Sequence, residues 1–399
     1  MTGKNRLIHS ELPGGVSLGL IENIRKGLSL KEVYISSFAR YGFSGAKLLL
    51  AYRAKKKRPV DAPYIIKVAK LENIQKEYRA TIDVKPNFRD SNMLHGKIFS
   101  SRDRDSGVTW GALVFAHAGN SINWKEPMTL KSVIYGTPPW IPRHYGKGAL
   151  PSDEVTVLTD AKLEKCFRSV FNKLDVPHKG HRWEKRSIVS LYKKYFRGRV
   201  GEKRLKIILG KNSDRMRFVF GEAEIHNPIK YFQRIVDSVN TPTGIVHGDL
   251  HTDNVVLDGH YDPTLIDFAW GHINRDILVD YVLMENTIRF NNFPRSIVLE
   301  EQRFVDEALL DYDGTSKVLS KSFNDRRIGQ CYHRMAKAIK IIRGKAKDII
   351  GSKLTGERYL LTQFLVLYGL IRYPDYDQIV ATRALGLIAK RLADKRHFL

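Results

Sequence analysis

The spacing of apolar and polar residues changes character twice along the chain. Residues 1–30 read as a short N-terminal extension. In residues 32–70, YISSF alternates loosely, YGFSG is a turn and AKLLLAYR is compatible with a strand. A basic loop, KKKRPVDAP, then leads to PYIIKVAK, a third short strand. LENIQKEYRA (71–80) has helical composition. GKIFSSRDRDSGVTWGALVFAHAG (96–119) reads as a hairpin turning at Asp105, Ser106 and Gly107. Residues 31–119 are thus expected to be a small β-rich lobe, an antiparallel sheet with one helix. Beyond Gly119 the apolar spacing becomes helical in 160–174, 227–239, 358–373 and 378–395. Residues 179–211 are too basic for periodicity to decide. Residues 120–399 are expected to be a larger, mainly helical lobe.

A chain of 399 residues exceeds one small core, and 43% hydrophobic with 27% charged content is that of a globular protein. Cys166 and Cys331 are the two cysteines. They form neither a disulfide framework nor a zinc spacing, and they suit a reducing compartment. The polar N-terminus and the shortness of apolar runs such as FLVLYGLI (364–371) predict a cytoplasmic protein with no membrane span. The net charge of +25, from 67 basic and 42 acidic residues, favours an anionic partner. It does not choose among nucleic acid, lipid headgroup and nucleotide phosphate.

Chemistry is concentrated in two short segments. HGDLHTDNVVL (247–257) packs histidines, aspartates and an asparagine before an apolar run, and TLIDFAWG (264–271) ends another on Asp267. Such groups are costly at the end of a buried strand unless they are used. Asp249 and Asn254 have the spacing D-x-x-x-x-N, which lets one loop present a carboxylate to a substrate and an amide oxygen to a metal. Asp267 follows thirteen positions after Asn254, across a turn marked by Asp258, Gly259, Asp262 and Pro263. Both side chains are then expected to reach one ion, and hard oxygens of this kind suit magnesium. Lys67 stands in the apolar strand PYIIKVA, where its ammonium needs a carboxylate, and Glu72 or Glu77 on the next helix can supply it. Tyr41-Gly42-Phe43-Ser44-Gly45 joins two strands and leaves backbone N–H groups for phosphates.

HGDLHTDN followed by LIDFAWG resembles the aminoglycoside phosphotransferase and choline kinase-like branch of the protein-kinase-like superfamily. Residues Gly42 to Gly45, Lys67 and GALVFAHAG (111–119) are similar to that family's nucleotide loop, phosphate lysine and interlobe linker. The likeness spans about residues 33–285 and is strongest over 245–285. It implies an α+β, protein-kinase-like bilobal fold with a five-stranded small lobe. It implies a phosphotransferase that uses ATP and Mg2+, with adenine near Phe115 to His117. Asp249 would be the catalytic base, with His247 orienting its loop. Asn254 and Asp267 would be metal ligands, and Lys67 the phosphate contact. A GxxGA loop, an IK strand and a helical tail also resemble the bacterial ternary complex associated domain nine group. The sequence departs from the wider pattern at Asp253, where many relatives carry glycine, and it has no HRD or APE motif.

The acceptor is not legible. A polycationic aminoglycoside suits a +25 chain poorly, so an anionic or macromolecular acceptor is expected. An alternative is a nucleotide-binding sensor or scaffold in a bacterial defence or regulatory system. Nucleic-acid binding through a basic surface can accompany either, and KKYFRGRVGEKRLK (193–206) interleaves basic and aromatic residues as single-strand binders do. Lys55 to Arg58 reads as a solvated loop. The H-x-D-x-H spacing of His247, Asp249 and His251 superficially resembles a metallohydrolase, but no further ligand pattern accompanies it. Asp276 and Asp280 are read as structural, one of them as a buttress under the catalytic loop.

Overall fold

The computed structural model describes residues 6–9, 16–30, 32–37, 47–55, 58–59, 64–88, 98–103, 106–116, 129–135, 158–193, 195, 200–220, 222–235, 238–258, 260–293 and 299–394. The chain forms two compact units, Met1–Thr129 with Val255–Gly271, and Leu130–Asn254 with His272–Leu399.

The first unit contains β1 (Arg6–His9), α1 (Leu18–Gly27), β2 (Glu32–Ser37), β3 (Lys47–Lys55), β4 (Arg58–Pro59), β5 (Tyr64–Lys70), α2 (Leu71–Val84), β6 (Phe99–Arg102) and β7 (Thr109–Ala116). Strands β2, β3, β5, β7 and β6 are the expected antiparallel five. Two more join them: β1 runs parallel to β2, and the two-residue β4 pairs with β3. Both are too short to show alternation in sequence. The alternation elsewhere sorts the faces. Leu49, Ala51, Ile66, Val68, Ala112 and Val114 share one face with Leu20, Ile21 and Ile24 of α1. The segment read as an extension therefore supplies core, because LGLIENI carries a short apolar stripe behind the N-cap Ser17, whose Oγ accepts from Leu20 N at 3.1 Å. The opposite face carries Lys67 and Gly111, and α2 lies on it. A Cβ on Gly111 would stand 3.1 Å from Leu71 Cα, so glycine permits that close approach. The β6–β7 turn uses Gly107 at φ +67° and Ser106, whose Oγ donates to Asp103 at 2.7 Å; Asp105 lies outside the described residues. The unit is completed by the hairpin β12 (Val255–Leu257) and β13 (Pro263–Leu265). Asp258 Oδ1 closes its turn by accepting from the backbone N–H groups of His260 and Asp262, each at 2.8 Å.

The second unit opens with α3 (Leu130–Ile134), α4 (Asp160–Asn172), α5 (Asp175–Lys179), β8 (Arg182–Ser187), α6 (Ile188–Tyr192), α7 (Val200–Leu209), β9 (Arg217–Phe220), β10 (Ala223–His226), α8 (Pro228–Phe232) and β11 (Ser238–Val246). It continues with β14 (His272–Asp276), α9 (Leu278–Phe290), α10 (Leu299–Ala308), α11 (Thr315–Ser320), α12 (Arg326–Ile350), α13 (Gly356–Leu370) and α14 (Gln378–Asp394). A three-stranded sheet, β14-β11-β8, carries the loop that follows β11. All thirteen residues of α9 are buried, as expected of a helix enclosed on every side.

The helix expected over 227–239 stops at Phe232, and residues 238–246 form a strand instead. The segment VNTPT is β-branched and contains a proline, and pairing with β8 outweighs the helical spacing before it. Asn227 begins α8 and ties it down. Its Oδ1 accepts from Ile229 N at 2.9 Å, and its Nδ2 donates to the carbonyls of Ser213 and Arg215 at 2.7 and 2.8 Å. Asn227→Ala should cost about 2 kcal/mol, and Asn227→Asp, which keeps the cap and loses the donations, should fall between. Equilibrium urea unfolding checks this; equal stability of the three proteins would refute it.

Candidate functional site

In the first unit the strand geometry brings Lys67 to the middle of the sheet, paired in register with Leu48 on one side and Leu113 on the other. Burial alone would drive its ammonium toward neutrality, but two carboxylates outweigh that and hold its pKa above the ordinary lysine value. One is Glu77, 2.9 Å away. The helix explains why it is Glu77 rather than Glu72. Ile74, Glu77, Thr81 and Val84 form the buried stripe of α2, while Glu72 lies on its exposed face. The other is Asp267, whose Oδ2 accepts from Lys67 Nζ at 2.8 Å across 200 positions of sequence.

Asp267 is held in place by its neighbours. It follows β13 with φ +63°, a left-handed backbone that costs a non-glycine residue about 1 kcal/mol. Phe268 is fully buried against Phe88, with ring centroids 5.1 Å apart. A Cβ on Gly271 would come within 3.1 Å of Val84 at the end of α2. The same helix therefore positions Glu77 and packs against Gly271, four residues after Asp267. One ammonium among two carboxylates leaves a net negative site. Glu77 is pushed up to about 7, first by burial, then by the charge of Asp267, with Lys67 pulling the other way.

In the second unit β11 delivers the loop 247–254. His247 is fully buried, and its Nδ1 accepts from Asp249 N at 3.4 Å. Gly248 turns the chain at φ +78°. Asp280, in the first turn of α9, accepts from the N–H groups of His247 and Gly248 through its two oxygens, each at 2.8 Å. His178 Nε2 lies 3.2 Å from Asp280 Oδ2, and Tyr195 Oη donates to Gly248 O at 2.9 Å. The Asp249 side chain is 28% exposed, with His251 Nε2 at 3.8 Å. Asn254 donates Nδ2 to Asp249 O at 2.8 Å, which turns its amide oxygen outward from that bond. Asp276 has a different role. It ends β14, outside α9, and receives hydrogen bonds from Tyr192 and from Arg358.

Among the described residues no group of three or more His, Cys, Asp or Glu gathers as a metal centre. Magnesium asks for one or two carboxylate or amide oxygens and completes its shell with water, and Asp267 and Asn254 are oxygen donors of that type. Gly42, Ser44, Gly45 and His117 lie outside the described residues, while Phe115 lies in β7. His178, Tyr195 and Lys131 bear on the loop without having been singled out for that role in the sequence. Tyr195 falls in the basic–aromatic run, where it is buried. Among the described residues no helix is long and apolar enough to cross a membrane.

The sheet with its Lys67–Glu77 pair and the helical unit with its HGDLHTDN loop give the chain an α+β fold. No curated protein matches the chain. Among solved structures, a thermostable mutant of aminoglycoside phosphotransferase APH(4)-Ia is 9% identical, over 94% of this chain and 99% of that one, with a TM-score of 0.42. Choline kinase LicA from Streptococcus pneumoniae is 11% identical over 94% and 98%, with a TM-score of 0.38. Spectinomycin phosphotransferase APH(9)-Ia is 13% identical over 88% and 93%, with a TM-score of 0.35. A family profile, ternary complex associated domain 9, matches residues 163–366, more than half of the 399 residues, and the chain belongs to that family.

Proposed function

We propose that this protein is an ATP- and magnesium-dependent phosphotransferase acting on a hydroxyl of an anionic or macromolecular acceptor. The observation that carries the reading is the buried Lys67 held by both Glu77 and Asp267. A strand lysine needs one carboxylate for compensation. The second leaves the site net negative and suited to a cation, beside an ammonium suited to phosphate. Lys67 would hold the α and β phosphates of ATP, with Gly42, Ser44 and Gly45 as the other nucleotide-binding residues. Asp267 and Asn254 hold magnesium, which supplies neutralisation of phosphate charge. Asp249 accepts the proton of the acceptor hydroxyl as the new O–P bond forms and the bond to the ADP oxygen breaks. Its loop is set by His247 and by the grip of Asp280 on the backbone. The net charge of +25 supports the anionic acceptor.

Calorimetry of magnesium-ATP binding, with ADP release followed in the same samples, tests this. Asp267→Ala should weaken binding by about a hundredfold, and the wild type should release ADP. Tight binding by wild type without release, with candidate acceptors added, would favour a nucleotide-binding sensor. Absence of binding would overturn the reading.

A further inference from the structure

The loop 247–254 is held toward both of its ends by residues in or just past α9. At the start of α9, Asp280 takes the N–H groups of His247 and Gly248. Just past its end, Asn292 Nδ2 donates to Thr252 Oγ1 at 2.7 Å. Beside it Asn291 Oδ1 accepts from Lys131 Nζ at 3.0 Å, and the same ammonium donates to Asp253 Oδ2 at 3.2 Å. The thirteen buried residues of α9 make a spine about 20 Å long. Lys131 comes from α3, far away in sequence, and joins the spine to the second half of the loop.

We propose that Lys131 is a positioning residue for Asn254: by tying Asp253 to Asn291 it fixes the loop so that the neighbouring amide oxygen is presented to a divalent cation. The inference rests on the reading of Asn254 as a metal ligand. An exposed ion pair contributes little to stability, but this one differs in two ways. Its side chains are 26% and 22% exposed, and the lysine has a neutral third partner anchored to a buried helix. The bond from Asn254 Nδ2 to Asp249 O then sets the ring of chain from 249 to 254. Without that cation the Asp253 carboxylate would lose its tie to Asn291 and, as a hard oxygen donor, would compete for the metal. The charge of Lys131 thus acts on orientation and on which oxygen the cation meets.

The test uses the full chain, with Lys131→Met, which keeps the stem, and Lys131→Arg, which restores a cation. Hydrogen exchange without ligand should be about tenfold faster in Lys131→Met at the amides of Asp253 and Asn254, and unchanged at those of His247 and Gly248, held by Asp280. The affinity for manganese-ATP, read by electron paramagnetic resonance of the bound ion, should fall about ten- to hundredfold, and Lys131→Arg should recover most of it. Unchanged exchange at Asp253 and Asn254 would overturn the proposal. Faster exchange with unchanged manganese affinity would also overturn it, by making Lys131 merely structural. Failure of the wild type itself to bind manganese-ATP would instead defeat the phosphotransferase reading and this inference with it.

Discussion

Lys67→Met is expected to destabilise the protein by about 3–5 kcal/mol and to abolish nucleotide binding. Methionine fits the apolar strand, so the loss comes from charge and not from packing. Lys67 is 4% exposed and Glu77 7% exposed; without the ammonium, Glu77 and Asp267 lose the cation they share. The pH dependence separates this cause from a generic core defect. Glu77 titrates at about 7, above its ordinary value of 4.5. Its contribution to stability is therefore complete below about pH 4.5 and is lost as pH rises through 7. Lys67 pulls that pKa down, so in the variant it lies higher still and the penalty for ionising Glu77 grows. The deficit of the variant should widen between pH 6 and pH 8. Urea unfolding of both proteins at the two values measures it. A deficit that is constant with pH, or smaller than about 1 kcal/mol, would mean that the three side chains are not coupled as described.

The parts of the site that can be read in the sequence are those whose polar residues lie close together in it. HGDLHTDN and LIDFAWG announce themselves because clustered polar groups next to apolar runs have few structural explanations. Lys67 is legible as a lone ammonium in PYIIKVA. Between Glu72 and Glu77 composition is silent, yet the helical stripe through Ile74, Thr81 and Val84 already places Glu77 on the inner face. What escapes notice is assembled by the fold from isolated residues. Lys131, Asn291 and Asn292 have no local pattern, and their roles exist only because α3 and the end of α9 meet the loop. Tyr195 misleads for the opposite reason, since its basic neighbours suggest an outer surface while its hydroxyl holds Gly248. The strand β11 is hidden by the helical spacing of the residues before it, and α1 by its shortness. Sheet pairing and burial decide both, and neither is a local property.

Arg343 shows the same limit in the core of the second unit, and its replacement is expected to be as damaging as that of Lys67. In sequence it is one more basic residue on a basic helix. In the fold it is 2% exposed. Its guanidinium donates to both oxygens of Glu285, at 2.8 and 3.0 Å, and to the carbonyls of Leu309, Asp311 and Tyr312 at 2.9, 2.8 and 3.0 Å. Glu285, in α9, also accepts from Tyr359 and Gln363. Burial would raise the Glu285 pKa, but Arg343 above all, with Arg289 and Tyr359, outweighs it and holds the carboxyl below its ordinary value. Arg343→Met should cost about 3–5 kcal/mol, because it leaves a buried carboxylate and three backbone acceptors short of donors. A lowered carboxyl pKa gives stability that is present above the ordinary value of 4.5 and lost as pH falls through the folded one. Without Arg343 the largest opposition to burial is removed and that pKa rises, so the deficit of the variant should shrink on acidification. Glu285→Leu alone should be comparably harmful, while the double variant with Arg343→Met should cost at least about 2 kcal/mol less than the sum of the single changes. Chemical denaturation of the four proteins completes the cycle. Additive costs would show that the two residues contribute independently. A strong coupling would mean that α9, which carries Asp280 and leads into Asn291, is held by the pairing of Glu285 with Arg343, so that the geometry of the loop depends on the core behind it.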